Sequence, residues 1–250
     1  MTLKECMLVE NDCYKKNEKM SGGKPTGIVV HSTGANNKTL KRYVQPVPGQ
    51  SYYKTVTNDL GINAYGNHWN RSAKEMGRSV SVHAFIGVNA LGNVETYQTL
   101  PFDICCWGVG KGKNGSYNYN PTARVQFEIC EDGLNDGTYF TKAMTEAIEF
   151  CAHICKKYGL SEKDICSHAE AYKAGYGSNH GDIDHWLKRF GRDMDWFRSE
   201  VAKLLKTPAV VSKVRYVVQV GSFTSKTNAQ NYLKELKAKG IDGFITTKVL

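Results

Sequence analysis

Hydrophobic and polar positions follow two rhythms along this chain, and each rhythm marks a different kind of element. Ile28-Val29-Val30 is a short apolar run after Pro25 and Gly27. It predicts a buried strand that ends at His31. Val80–Val88 and Val94–Tyr97, split by Asn89-Ala90-Leu91-Gly92-Asn93, predict a strand pair, and Val125–Cys130 predicts another strand. From Phe140 to Tyr158 the period is helical. Met144, Ala147, Ile148, Cys151, Ile154, Cys155 and Tyr158 share one stripe, and Gly159 is the stop. Ser161 then caps a short turn with Asp164 three residues on. Met194–Leu205 predicts a second helix, with Phe197, Val201, Leu204 and Leu205 on one face. Other stretches lack a clear period. Residues 1–24 read as a polar arm or short edge element, 34–80 as loop plus short helix, and 108–121 as a glycine- and asparagine-rich loop.

The rhythm breaks at 207–213, which reads as a linker after a domain of residues 1–206. Beyond it, Arg215–Val220 alternates as a strand. Thr224–Lys239 is helical, with Ala229, Tyr232, Leu233 and Leu236 on one face and Gly240 as the stop, and Gly243–Lys248 predicts a second strand. Residues 214–250 thus form one β-α-β unit, near the minimum size for that motif.

Length, charge and cysteines narrow the class. A chain of 250 residues accommodates one large domain plus a small module. No segment approaches the roughly 18 apolar residues of a membrane span. The opening residues have neither an apolar stretch of signal-peptide length nor a small-residue cleavage site. The expectation is synthesis in the cytoplasm, with any export by another route. The eight cysteines form no CxxC pair, which disfavours a zinc ribbon, and they read as small buried thiols. The formal charge is +9, and from Lys203 onward nine Lys/Arg face two Asp/Glu. A basic tail suits a polyanionic partner: nucleic acid, anionic membrane or an acidic wall polymer.

The candidate chemistry sits in three places. His31 ends a strand, where a rigid element can present a group to an open loop. The runs Cys166-Ser167-His168-Ala169-Glu170 and Ser178-Asn179-His180-Gly181-Asp182-Ile183-Asp184-His185-Trp186 concentrate histidines and carboxylates. Tetrahedral zinc takes imidazoles and carboxylates converging from different segments, with one position open for water. His31, His168 and Asp182 can supply that set, with Asp184 and His185 competing for the third place. A base must stand beside the water. Glu128, on an otherwise apolar strand, faces the same side as Gln126, opposite Val125 and Phe127. His83 reads as a structural or supporting histidine, and His68, beside Trp69, as a loop histidine or groove lining. Tyr117 and Tyr119 could stack on sugar rings or pack within their loop.

The segments IVVHSTG, SVHAFIG, RVQFEICEDG, SHAEAYKAGYGSNHGDIDHW and GRDMDWFR, in that order across about residues 25–205, resemble the zinc-dependent N-acetylmuramoyl-L-alanine amidases of the type 2 family. The nearest likeness is to clostridial and related phage, prophage and autolysin enzymes. The resemblance implies an α/β fold, a mixed central sheet flanked by helices as in peptidoglycan recognition proteins. It implies Zn2+ held by His31, His168 and Asp182, Glu128 as general base, and cleavage between N-acetylmuramic acid and L-alanine. His180 falls where relatives often carry a lysine that steadies the oxyanion. One departure stands out: relatives often have a Trp-His pair where this chain has Trp107-Gly108.

The tail, YVVQVGSFTSKTNAQNYLKELKAKGIDGFITTK, is similar to SPOR domains, which bind peptidoglycan glycan strands. A full domain has two β-α-β halves, and this tail has one, so two chains are expected to pair their tails in a homodimer. Peptidoglycan is the expected partner, with no nucleic acid, because the aromatic pattern of an RNA-binding sheet is missing, and no membrane. The expected action is lysis of Gram-positive, clostridial walls after release through a holin-like pore or by lysis. The competing reading is a recognition module that binds peptidoglycan without cutting it. A thiol peptidase using Cys166 or Cys130 with His168 lacks any recognisable activating pattern.

Overall fold

The computed structural model describes residues 1, 3–206, 221–241 and 243–245. The chain divides into two compact units, Met1–Pro208 and Ala209–Leu250.

In the first unit, six strands form one sheet: β1 (Leu3–Glu5), β2 (Ile28–Ser32), β3 (Ala84–Val88), β4 (Val94–Gln98), β5 (Val125–Ile129) and β6 (Ile165–Ser167), in the order β1-β4-β3-β5-β2-β6. Only β3 and β4 are antiparallel neighbours; the other pairs are parallel. The expected mixed α/β sheet flanked by helices is therefore present. The polar N-terminal arm does provide an edge element, β1. β3 begins four residues later than the pattern suggested. Ser81 N–H donates to Trp107 O and His83 N–H to Gln126 O, while the His83 carbonyl accepts from Thr99 N–H, so the residues before Ala84 bond to a loop and to both neighbouring strands without regular ladder pairing.

The helices are α1 (Asp12–Lys16), α2 (Tyr53–Leu60), α3 (Ala73–Met76), α4 (Gly137–Tyr158), α5 (His168–Lys173), α6 (Asp182–Arg189) and α7 (Met194–Lys206). α4 starts three residues before its apolar stripe, because the Asp136 side chain accepts from Thr138 N–H and Tyr139 N–H. It ends at Gly159, whose φ of 69° needs no Cβ. The stripe of α4 packs on one sheet face. Ile28, Val30, Val125, Phe127 and Ile129 meet Met144, Ala147, Ile148, Cys151 and Cys155 there, with Trp186 of α6 and Phe197 of α7. Phe127 and Phe150 pack edge to face, with centroids 4.9 Å apart. A second cluster, with Leu40, Tyr43, Trp69, Phe85 and Tyr97, lies across the sheet. All eight cysteines are free, and seven are buried.

In the second unit, α8 (Lys226–Ala238) forms as the pattern required, capped by Ser225. The linker 207–213 and the strand Arg215–Val220 lie outside the described residues, as do residues 246–248 of the strand expected over 243–248. Among the described residues, no helix is long and apolar enough to cross a membrane.

Candidate metal and catalytic site

Strand register builds this site. β2 runs parallel between β5 and β6, with His31 opposite Glu128 and Val30 opposite Ser167. His168, one residue beyond Ser167, therefore emerges next to His31. Alternation sends Ile28 and Val30 into the core under α4, and sends His31, with Gln126 and Glu128 of β5, to the other face. Ser167 caps α5, accepting from Glu170 N–H while Glu170 accepts from Ser167 N–H, so His168 is fixed at the first turn.

Asp182 closes the group. It opens α6 at φ 29°, in the left-handed region, which aspartate tolerates better than most residues. Such strain, typically about 1–3 kcal/mol, persists where the surroundings over-determine the position. Here it delivers Asp182 Oδ2 to 2.8 Å from His31 Nδ1 and 2.7 Å from His168 Nδ1; the two Nδ1 atoms are 3.1 Å apart. His31 and His168 are 1% and 3% exposed.

The hydrogen bonds behind the rings test whether a cation fits. His31 Nε2 lies 3.1 Å from Gln126 Oε1, which can only accept, and His168 Nε2 lies 3.3 Å from Ser178 Oγ. The His31 proton therefore belongs on Nε2; with the His168 proton likewise on Nε2, facing Ser178 Oγ, two Nδ1 lone pairs and a carboxylate oxygen converge on one point. Three such atoms repel one another unless a cation lies among them. Burial also lowers the affinity of His31 for a proton, which suits a neutral imidazole ligand. The three residues form the one group among the described residues that could hold a metal ion in this way.

The rival third ligands point elsewhere. His185 Nε2 pairs with Glu131 Oε1 at 3.1 Å. Asp184 faces the Ser167 and Glu170 side, where burial raises its pKa. Glu128 is half-buried beside the trio, and its Oε2 has no hydrogen-bond partner among the described residues. Burial first, then the charges of Asp182 and Glu131, push its carboxyl well above the ordinary range, so its conjugate base is a strong one. His180 lies on the exposed side, its ring centroid 4.8 Å from that of His168 and its Nδ1 3.1 Å from Ser178 Oγ.

The remaining candidates take supporting places. His83 is fully buried, with Nε2 2.9 Å from Ile104 O and Nδ1 accepting from Gln126 N–H at 3.0 Å. His68 is half-buried in the loop near Arg71 and Arg42, outside the trio. Tyr117 is unavailable to a sugar: Tyr176 stacks on it at 4.8 Å, and the Arg124 guanidinium lies 3.9 Å from its ring centroid. Tyr119 remains 42% exposed. Burial raises the Cys166 thiol to about 11 and Cys130 well above its usual value, so neither is a ready thiolate.

Residues 21–183 match the N-acetylmuramoyl-L-alanine amidase family profile, and residues 212–249 match the SPOR domain profile. No curated protein matches the chain. Among solved structures, the Staphylococcus aureus hydrolase AmiA in complex with its ligand is 19% identical. The match covers 82% of this chain and 83% of that one, with a TM-score of 0.50. The PlyG catalytic domain is 18% identical over 84% of this chain and 98% of its own, with a TM-score of 0.51. At such identities the two structures speak for the fold. The family profile spans well over half the chain, and the chain belongs to the N-acetylmuramoyl-L-alanine amidase family.

Proposed function

We propose that this amidase is a peptidoglycan hydrolase that cuts the amide between the lactyl group of N-acetylmuramic acid and L-alanine of the stem peptide. The observation that carries the reading is the convergence of His31 Nδ1, His168 Nδ1 and Asp182 Oδ2, with Glu128 beside them. These three residues are the ligands we assign to zinc. When bound, zinc polarises a carbonyl and brings water within reach of deprotonation near neutral pH. Glu128 accepts the proton of the attacking water and delivers it to the leaving amine. Its setting, apolar and flanked by negative charge, raises its basicity for the first transfer. His180, on the open side, donates a hydrogen bond to the carbonyl oxygen as negative charge develops there, a contribution of about 3 kcal/mol in comparable sites.

Glu128→Gln tests the assignment of roles. The variant keeps the ligand set and should retain one zinc per chain, while amide hydrolysis falls by roughly 100- to 10,000-fold. Hydrolysis at the wild-type rate would remove Glu128 from the mechanism.

We infer a phage or prophage endolysin, or an autolysin, acting on Gram-positive walls of the clostridial kind and reaching them through a holin-like pore or at lysis. The SPOR match supports glycan binding by the tail. Phe223, Ile241, Phe244 and Ile245 are 41–66% exposed, and α8 has no buried residue among those described. That apolar surface supports pairing of two tails, which would also raise wall avidity. Sedimentation of the full chain at micromolar concentration should give a dimer; a monomer there would exclude tail pairing.

A further inference from the structure

Val109 is fully buried, and both of its peptide groups lead to the site. Its N–H donates to Asn118 Oδ1 at 3.0 Å, and its carbonyl accepts from Ser178 N–H at 2.9 Å and lies 3.2 Å from Ser178 Oγ. Each route ends at one imidazole.

The first route reaches His31 through Gln126. Asn118 Oδ1, defined as an oxygen by the Val109 N–H it accepts, also accepts from Gln126 Nε2 at 3.0 Å. Tyr117 O takes a second bond from the same Nε2 at 3.3 Å. Two acceptors on one side fix the amide, so Oε1 must face His31 Nε2. The second route is shorter. Ser178 Oγ lies 3.2 Å from Val109 O and 3.1 Å from His180 Nδ1; whichever of the two takes its single hydrogen, the hydroxyl is left to accept from His168 Nε2–H.

Two further features hold the Gln126 side chain in place. A Cβ on Gly108 would lie 2.4 Å from Gln126 Oε1, so glycine leaves the room the amide occupies. His83 Nδ1 accepts the Gln126 N–H and anchors the backbone beneath. Gln126 is itself fully buried on the solvent-poor face of β5, where an unmatched carboxamide would be costly.

We propose that Gln126 and Ser178, both anchored on the Val109 peptide groups, are positioning residues. They hold His31 and His168 as Nε2–H tautomers and turn both Nδ1 lone pairs toward Asp182. The proposal rests on the metal reading above, since a shared tautomer at these two rings serves ligation. Removing either relay frees a ring to rotate and to carry its proton on Nδ1, where it blocks a ligand. Partners of this kind are typically worth 10- to 100-fold in metal affinity.

The test uses the full chain and two readouts other than hydrolysis. Long-range 15N–1H NMR of the metal-free protein reports the tautomer of each histidine, and competition with a chelating dye reports the zinc Kd. In the wild type, His31 and His168 should each show one form, protonated on Nε2. Gln126→Leu should give His31 a mixed or Nδ1–H pattern and weaken zinc binding by 10- to 100-fold. Ser178→Ala should do the same at His168. Gly108→Ala should reproduce the His31 effect with Gln126 still present, which covers the case in which Gln126→Leu fails to fold. A purely structural role would lower the melting temperature and leave the tautomers and zinc Kd of the folded protein unchanged; that result overturns the proposal. Wild-type rings protonated on Nδ1 overturn it as well. Nε2–H rings in a wild type that binds no zinc would instead overturn the metal reading and leave the relay standing.

Discussion

His83 shows how burial sets the chemistry of a single residue. Its ring has one nitrogen that must donate, to Ile104 O, and one that must accept, from Gln126 N–H. The neutral form satisfies both, and a second proton would displace the Gln126 bond. Burial, against the pull of the Ile104 carbonyl, lowers its pKa from 6.5 to about 4. The sign follows from linkage. The unfolded chain takes up the proton first as pH falls through 6.5, so stability is full above that value and is lost between there and about 4. This group alone contributes about 3 kcal/mol to that loss. Urea unfolding of the metal-free protein from pH 7.5 to 4.5 should show the decline, and NMR should find the ring neutral at pH 5. A ring that titrates near 6.5 would contradict its place in the core. The same scale shows what the sequence can carry. His31, His168, Asp182 and Glu128 were readable as candidates because metal chemistry selects those residue types and because the segments holding them are distinctive. Gln126 was placed on the face of Glu128, yet its bond to His31 was not readable. That bond depends on residues 108–118 folding back onto β5, a contact between segments that no local pattern encodes. Tyr117 misled for a related reason: a tyrosine in a polar loop looks available until Arg124 and Tyr176 cover both faces of its ring.

Elements were legible where periodicity and caps agreed. β2, β5, α4, α7 and α8 each combine an apolar stripe with a clear stop or cap, and each forms within a few residues of its expected place. The short ones escaped. β6 has only three residues, Ile165–Ser167, too few for alternation to register, and it is a strand because β2 offers it an edge. α6 starts on Asp182 at positive φ without a side-chain cap, so the usual signal for a helix start is missing. Its apolar residues Ile183, Trp186 and Leu187, at spacings of three and four, carry the helix by packing under α4 instead. β6 leads directly into His168 at the start of α5, and α6 opens on Asp182, so the least legible parts of the fold position two of the three candidate ligands. The third, His31, sits on the most legible strand. The site thus depends on tertiary pairing more than on local propensity.

At the scale of the whole molecule, charge and architecture divide between the two units. Of the net +9, residues 212–249, which match a SPOR domain, carry +5 (seven Lys/Arg against two Asp/Glu), while the carboxylates of the site gather in the amidase unit. The proposed function accordingly assigns wall attachment to the SPOR-matching tail and amide cleavage to the amidase unit, and a basic tail suits an anionic polymer. His31, His168 and Asp182 are the ligands we assign to zinc, and the proposed reaction is cleavage of the N-acetylmuramoyl-L-alanine bond. The most direct measurement is the appearance of new L-alanine amino termini from purified Gram-positive walls, followed with the native chain, with a chelator, and with zinc restored. Termini should appear, stop with the chelator and return with zinc at about one metal per chain. Zinc bound at that ratio with no new termini, or termini released equally with the chelator present, would contradict it.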